Sequence, residues 1–267
     1  SRNNIEAYPW YQIPYSHEQV SSSHITYDTA KQKFSALLEA SVQRRLIADV
    51  PLGAFLSGGI DSSVIVALAS RHKPDLHTFS IGYRDEKFFD ETSYARSVAK
   101  KFNTDHTVFS LTNNDLYAHV DKILDYIDEP FADSSAIAVY ILSKETRKHA
   151  TVALSGDGAD ELLGGYNKHA AFYRAIHHGW REDVVRALHP LWKILPKSRH
   201  NPFSNRIRQL LRFSEGIRVS SKNRYWRWAG YASETDALNL LSNSSREQMI
   251  MQEYAGRKEK IVAHITP

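Results

Sequence analysis

The sequence predicts an α/β fold: a doubly wound parallel sheet flanked by helices, with a helical C-terminal extension. Three observations carry this expectation. Short apolar runs bounded by Gly or Pro alternate with longer helical stretches as far as Leu154. Two of those runs lead directly into glycine-rich loops, Ser57-Gly58-Gly59 and Ser155-Gly156-Asp157-Gly158. Beyond Tyr166 the pattern turns helical and aromatic-rich, with Trp180, Trp192, Trp226 and Trp228. Alternating strands and helices imply parallel strands joined by right-handed crossovers. Ligands in such sheets sit outside the carboxyl ends of the strands, so both loops are expected to face one crevice.

Residues 1–25 are rich in Tyr, Pro and Ser without periodicity and read as a linker. Behind the start signal Asp28-Thr29, residues Phe34, Leu37, Leu38, Ser41, Val42 and Leu46 recur at helical spacing, and Asp49-Val50-Pro51 ends that helix. Gly53-Ala54-Phe55-Leu56 is too short for a helix and is bounded by Pro and Gly, hence a buried strand. A helix over Ser62–Ser70 follows, closed by Arg71-His72-Lys73-Pro74. The alternation continues with a strand at His77–Ile81, a helix at Asp90–Phe102 and a strand from about His106 to Leu111. Helices near Asn114–Ile127 and Ser134–His149 precede a fourth strand at Thr151–Leu154. The division expected is a linker over 1–25, the sheet domain over 26–175 and a basic helical extension over 176–267, whose topology the pattern does not reveal.

Composition removes several function classes. The 267 residues include no Cys, which excludes disulfides, thiolate metal sites and a cysteine nucleophile. The 13 His never fall at a zinc-ligand spacing such as HExxH. No apolar run approaches the roughly 18 residues of a membrane span, and Ser1–Tyr11 has no signal-peptide core. We expect a cytoplasmic protein presented as a fragment, with no membrane partner. The net charge of +4 divides unevenly: residues 1–167 carry 16 Lys and Arg against 22 Asp and Glu, residues 168–267 carry 18 against 8. A basic segment can meet nucleic acid or another anion. Its charges are scattered, so a solvated helical face is the preferred reading and nucleic acid is not the expected partner.

The segment Leu56-Ser57-Gly58-Gly59-Ile60-Asp61-Ser62-Ser63 carries the most chemistry. Adjacent glycines let the backbone approach an anion, and successive amides at a helix N-terminus form a nest that favours negative charge. Ser57, Ser62 and Ser63 add hydroxyls. A tight strand-to-helix turn explains the glycines but not Asp61 and three serines together. The Walker lysine and the GxxxxGK[ST] pattern are missing, so γ-phosphate nucleotidase chemistry fits poorly. In the second loop, Asp157, Asp160 and Glu161 read either as a helix N-terminal acidic cluster or as functional carboxylates. Asp128-Glu129-Pro130 reads equally as a turn. Lys144, Arg147, Lys148 and Lys168 are candidates to stabilise a phosphoryl transition state, with a solvated face as the plainer account of each.

An SGGxDS loop after a short apolar strand resembles the pyrophosphate loop of the N-type ATP pyrophosphatases, which cleave ATP between its α and β phosphates. Further segments resemble asparagine synthetase: Arg45-Leu46-Ile47-Ala48-Asp49-Val50-Pro51-Leu52-Gly53, Thr78-Phe79-Ser80-Ile81-Gly82, Asp90-Glu91, Asp128-Glu129-Pro130-Phe131, Ser155-Gly156-Asp157-Gly158-Ala159-Asp160-Glu161 and Gly164-Gly165-Tyr166. The resemblance covers roughly residues 26–175 and implies an adenine nucleotide alpha hydrolase-like fold. It implies that Ser57, Gly58, Gly59, Asp61, Ser62 and Ser63 hold the β and γ phosphates of ATP. Backbone groups of Leu56 and Ile81, with Gly82 nearby, would pair with adenine, and Ser155 and Gly156 would lie close to the nucleotide. Asp61 and Asp160 would bind Mg²⁺ with the leaving pyrophosphate. Asp157 stands where many members have Glu and would orient or deprotonate ammonia, its shorter side chain weakening that assignment. Asp157 and Asp160 are thus the catalytic candidates.

The reaction so implied is ATP-dependent amidation of aspartate through β-aspartyl-AMP, with release of AMP and pyrophosphate. We expect this stretch to be the synthetase portion alone, without the family's glutamine-hydrolysing domain and its first-residue Cys, and without the later LExRxPFLD-like segment with a transition-state lysine. Nucleotide binding is therefore expected more firmly than turnover. The alternatives are a relative that adenylates a different acid, as β-lactam-forming synthetases do, and a nucleotide-binding regulatory part. A homodimer is compatible with each.

Overall fold

The computed structural model describes residues 8, 10, 11, 17–128, 133–230 and 234–251. Along the chain run α1 (His17–Ser22), α2 (Tyr27–Arg45), β1 (Leu52–Phe55), α3 (Ile60–His72), β2 (His77–Tyr83), α4 (Thr92–Phe102), β3 (Asp105–Leu111), α5 (Asn113–Tyr117), α6 (Val120–Leu124), α7 (Ser135–Thr146) and β4 (Val152–Leu154). Then come α8 (Ala159–Leu163), α9 (Asn167–Ile176), α10 (Trp180–Ala187), α11 (His189–Ile194), α12 (Pro202–Arg218), α13 (Ser221–Ala229), α14 (Glu234–Asn239) and α15 (Asn243–Met251). Two packing units result, residues 35–233 with the sheet, and residues 1–34 with 234–267. Of the expected linker, residues 17–22 are helical, while 1–7, 9 and 12–16 lie outside the described residues, as do Glu129, Pro130 and Phe131.

The strands lie in the order β3-β2-β1-β4, all parallel, with Ala54 of β1 opposite Thr78 of β2 on one side and Leu154 of β4 on the other. The chain steps outward from β1 to β2 and β3, then returns across the sheet to place β4 beyond β1. This reversal opens the carboxyl ends of β1 and β4, the switch point where doubly wound sheets take ligands. Because both faces are covered, β1 reads as a continuous apolar run and not an alternating one. Leu52, Ala54, Leu56, Val66, Ala69 and Leu76 are all buried in one cluster. Each fully buried Leu or Val contributes about 1.5–3 kcal/mol. Phe79 packs over Gly53, where a Cβ would come within 2.6 Å of its ring.

Helices α3 and α4 touch each other, α3 rests on β1 and α4 on β2 and β3, while α7 packs on β2. The start of α4 is set by Asp90, whose carboxylate accepts from the Thr92 amide at 3.1 Å and the Thr92 hydroxyl at 3.2 Å. Its end is Asn103, in the left-handed conformation at φ 52°, which Asn tolerates better than most side chains. The single helix expected over 114–127 is two short ones. Thr112 and Asp115 form a reciprocal capping box that starts α5. His119 then interrupts: its ring nitrogen lies 2.8 Å from the Asp115 carbonyl and its amide bonds Leu116 instead of continuing the α-helical ladder.

The helical region after β4 is organised by α12, against which α10, α11 and α13 pack, with α13 also meeting α9. Trp228 lies flat against Gly216, where a Cβ would overlap the indole, and its Nε1 donates to the Arg212 carbonyl at 2.8 Å. Three of the basic residues counted in the sequence are engaged internally. Arg212 donates to the carbonyls of Trp228 and Gly230, Arg224 to that of Ala175, and Arg227 to Glu215 at 2.6 Å. Arg212 and Arg224 thus satisfy carbonyls left over at helix ends, so part of the positive balance is packing. Gly216→Ala should expel the indole and lower stability by about 1–3 kcal/mol, read as a lower urea midpoint with altered tryptophan fluorescence.

Candidate functional site

Strand β1 passes into the first loop through Leu56, whose amide bonds the Phe79 carbonyl at 2.8 Å. Gly58 then takes φ +87°, where a Cβ would stand 2.5 Å from the Ala95 amide nitrogen and from the Tyr94 Cβ. Glycine is required there twice over, by sign of φ and by contact with the first turn of α4. The serines hold the loop to itself. Ser57 Oγ accepts from the Gly59 amide at 3.2 Å, and Ser62 Oγ accepts from the Ser57 amide at 3.3 Å while donating to the Gly59 carbonyl at 3.2 Å. No side chain caps the N-terminus of α3, so its positive dipole end is left to an outside anion or to water.

Strand β4 delivers the second loop to the same place. Gly156 lies against the start of α3: a Cβ there would approach the Ser62 amide nitrogen to 2.8 Å and the Asp61 carbonyl carbon to 2.9 Å. Ser155 Oγ accepts from the Asp157 amide at 3.3 Å, and Gly158, at φ +92°, turns the chain into α8. Asp160 and Glu161 occupy the first turn of α8, which ends on Gly164 at φ +69°. Gly165 folds back so that its amide bonds the Asp160 carbonyl at 3.1 Å, and a Cβ on it would overlap the Asp160 carboxylate.

Between the loops lies a cavity of about 580 Å³, within the range of small-ligand sites. Of the residues singled out in the sequence, Leu56, Ser57, Asp61, Ser62, Ile81, Ser155, Gly156, Asp157 and Asp160 line it. Gly58, Gly59, Ser63 and Gly82 do not: the first two shape the loop, the Ser63 hydroxyl is buried without a partner, and Gly82 packs on Thr92. The sequence reading missed one wall, made by Ala138, Val139 and Leu142 of α7, and it gave no role to Tyr83, Phe89, Glu91 or Tyr166, which also line the cavity; Glu161, weighed there as a functional carboxylate, lines it too. The Asp90-Glu91 and Gly-Gly-Tyr166 segments were the available signals.

The charged residues of the lining are Asp61, Glu91, Asp157, Asp160 and Glu161, all acidic. Of the cations weighed in the sequence, Lys144 Nζ lies 3.0 Å from His119 and Lys148 pairs with Glu145 at 2.5 Å. Neither these nor Arg147 reaches the cavity, and Lys168 sits on the Tyr166 ring. An acidic pocket with an anion-binding loop suits a metal-bearing anion. Among the described residues no group of three or more His, Cys, Asp or Glu could hold a metal by itself. Mg²⁺ asks less, one or two carboxylates with phosphate oxygens and water. Asp61 and Asp160, which line one cavity, therefore fit a cation arriving with a polyphosphate.

The Tyr166 hydroxyl donates to Glu161 Oε1 at 2.6 Å. That hydrogen bond, with the carboxylates nearby, pushes the Tyr166 pKa up to about 12, and the same bond holds Glu161 below the usual carboxylate range. The neutral phenol and the ionised carboxylate stabilise each other, so the pair is intact across neutral pH.

A glycine-serine loop and an acidic loop, joined at the switch point of a parallel sheet, define a doubly wound α/β domain with a candidate ligand site, and comparison with known proteins places it in a family. Residues 33–260 match the family model described as asparagine synthase. The chain belongs to the asparagine synthase family. It is 44% identical over 127 residues to asparagine synthetase [glutamine-hydrolyzing] 1 of Bacillus subtilis, covering 48% of this chain and 20% of that protein. A Methanocaldococcus jannaschii relative is 37% identical over 202 residues, 74% of this chain and 38% of its own length. Asparagine synthetase [glutamine-hydrolyzing] 2 of Arabidopsis thaliana is 31% identical over 194 residues, 67% of this chain and 32% of that protein. The matches span well under half of the relatives' length. No helix among the described residues is long and apolar enough to cross a membrane.

Glu161→Gln removes the charge that the Tyr166 hydroxyl faces. In an ultraviolet difference titration the latest-titrating phenol should then move down toward the ordinary tyrosine value of about 10.

Proposed function

We propose that this chain carries the ATP-binding, pyrophosphate-releasing part of a ligase that amidates aspartate to asparagine. One observation carries the reading: Gly156 seats the acidic loop directly against Asp61 and Ser62 of the anion loop, at the sheet's switch point. The β and γ phosphates lie on the loop from Ser57 to Ser63, where the uncapped end of α3 favours negative charge. Gly58, Gly59 and Ser63 give that loop its shape. Adenine lies along the α7 wall, with backbone groups of Leu56 and Ile81 reading its edge, beside Gly82, Ser155 and Gly156. Asp61 and Asp160 would hold Mg²⁺, which would supply positive charge against the pyrophosphate.

The aspartate side-chain carboxylate attacks the α-phosphorus, giving β-aspartyl-AMP and pyrophosphate, and ammonia then displaces AMP. The chain's own part is chiefly placement: it holds the carboxylate in line, and the apolar wall of α7 keeps water from the acyl-adenylate. Asp157, exposed at the cavity, accepts a hydrogen bond from ammonia and orients its lone pair. Ammonia comes from glutamine through an amidotransferase domain. Residues 26–175 hold the nucleotide site, and a cytoplasmic setting suits the substrates.

Calorimetric titration with Mg²⁺ and α,β-methylene ATP should give saturable binding to the native chain, weakened by Asp61→Ala at least tenfold, about 1.4 kcal/mol. In the full-length protein the same substitution should suppress aspartate-dependent pyrophosphate release. A folded sample that binds no nucleotide would overturn the proposal.

A further inference from the structure

The amino-acid substrate brings carboxylates into a cavity whose charged lining, among the described residues, is acidic. On the reading above, the polyphosphate would have the α3 end, the loop and a cation held by Asp61 and Asp160 to offset its charge; among the described residues nothing in the lining does the same for the second substrate. Lys168 is the cation placed to do so. Its Nζ lies 4.4 Å from the centre of the Tyr166 ring, and Tyr166 lines the cavity. On its other side Lys168 faces the Tyr225 ring, at 5.8 Å. Among the described residues it makes no ion pair within 4.0 Å.

The support beneath this lysine is itself fixed. The Tyr166 hydroxyl is tied to Glu161 at 2.6 Å, and Tyr225 is stacked on His169, with its hydroxyl 3.2 Å from that ring's Nε2. Lys168 also stands in the first turn of α9, where the helix dipole disfavours a positive charge. Helix stability therefore does not explain a lysine at this position. Two aromatic faces hold the ammonium by cation–π attraction without neutralising it. The charge remains available to a carboxylate that enters beside Tyr166.

We propose that Lys168, presented on the rings of Tyr166 and Tyr225, is a substrate-binding residue that receives a carboxylate of the amino-acid substrate. The inference rests on the ligase reading above and adds the residue that selects the acid. Lys168 takes no part in bond making; it offsets charge and fixes the orientation of the incoming acid.

The test uses the full-length protein with ammonia as nitrogen source, measuring pyrophosphate release against aspartate and against ATP separately. For Lys168→Met we expect KM for aspartate to rise about 10- to 100-fold, the scale of a lost charge-assisted hydrogen bond, with KM for ATP within about twofold. Lys168→Arg should recover most of the loss. An unchanged KM for aspartate in Lys168→Met would overturn the assignment. A parallel rise in both KM values would also overturn it, placing Lys168 at the phosphates instead. Failure of the ligase reading is separately visible, as absence of aspartate-dependent pyrophosphate release in the unsubstituted protein.

Discussion

The close approach of Gly156 to the first turn of α3 is the contact on which the site depends. A Cβ at this position would enter the space of the Ser62 amide and the Asp61 carbonyl carbon, and backbone cannot yield as a flexible side chain can. Only glycine lets the β4 loop lie flat on the helix that follows β1. The cavity, the shared lining of Asp61 and Asp160, and the position of α8 follow from that seat. The strand order makes it available: β4 returns to the open side of β1, so two loops far apart in sequence emerge side by side.

A second constraint runs through the loop after β1. Gly58 is committed to α4 through its contact with Ala95 and Tyr94, and Ser57 and Ser62 use their hydroxyls on the loop's own backbone. These residues are preorganising elements as much as they are candidate ligand contacts. A loop already folded around its own hydrogen bonds loses little conformational entropy when an anion arrives. Glycines and serines therefore recur together here for two separable reasons, access for the anion and rigidity without it.

The sheet was legible in the sequence because its signals are local. Each strand is a short apolar run with Gly or Pro beside it, and β1 to β4 fall within two residues of the expected limits. The break at His119 was hidden, since it arises from one ring bonding a carbonyl a turn earlier, which apolar periodicity does not register. The fold of α9 to α13 was hidden for another reason. Its order comes from non-local partners, Trp228 on Gly216 and Arg224 on Ala175, which no spacing rule encodes. In the cavity, the glycine loops stood out by composition, whereas Ala138, Val139 and Leu142 look like any buried helix face until α7 is seen to pack on β2.

The same distinction bears on charge. Counted along the sequence, the segment after Asn167 is strongly basic, yet among the described residues the cavity has no basic lining residue. Arg212, Arg224 and Arg227 are turned into the helical region, where carbonyls and Glu215 satisfy them. Lys168 differs in kind: its neighbours Tyr166 and Tyr225 attract the ammonium through ring quadrupoles, and the nearby Glu161 carboxylate feels its charge without forming an ion pair with it. A cation held by aromatic faces at the edge of an acidic cavity is poised between two attractions. On the proposed reading, the carboxylates of the lining would draw the ammonium inward, and a cation held by Asp61 and Asp160 would weaken that pull.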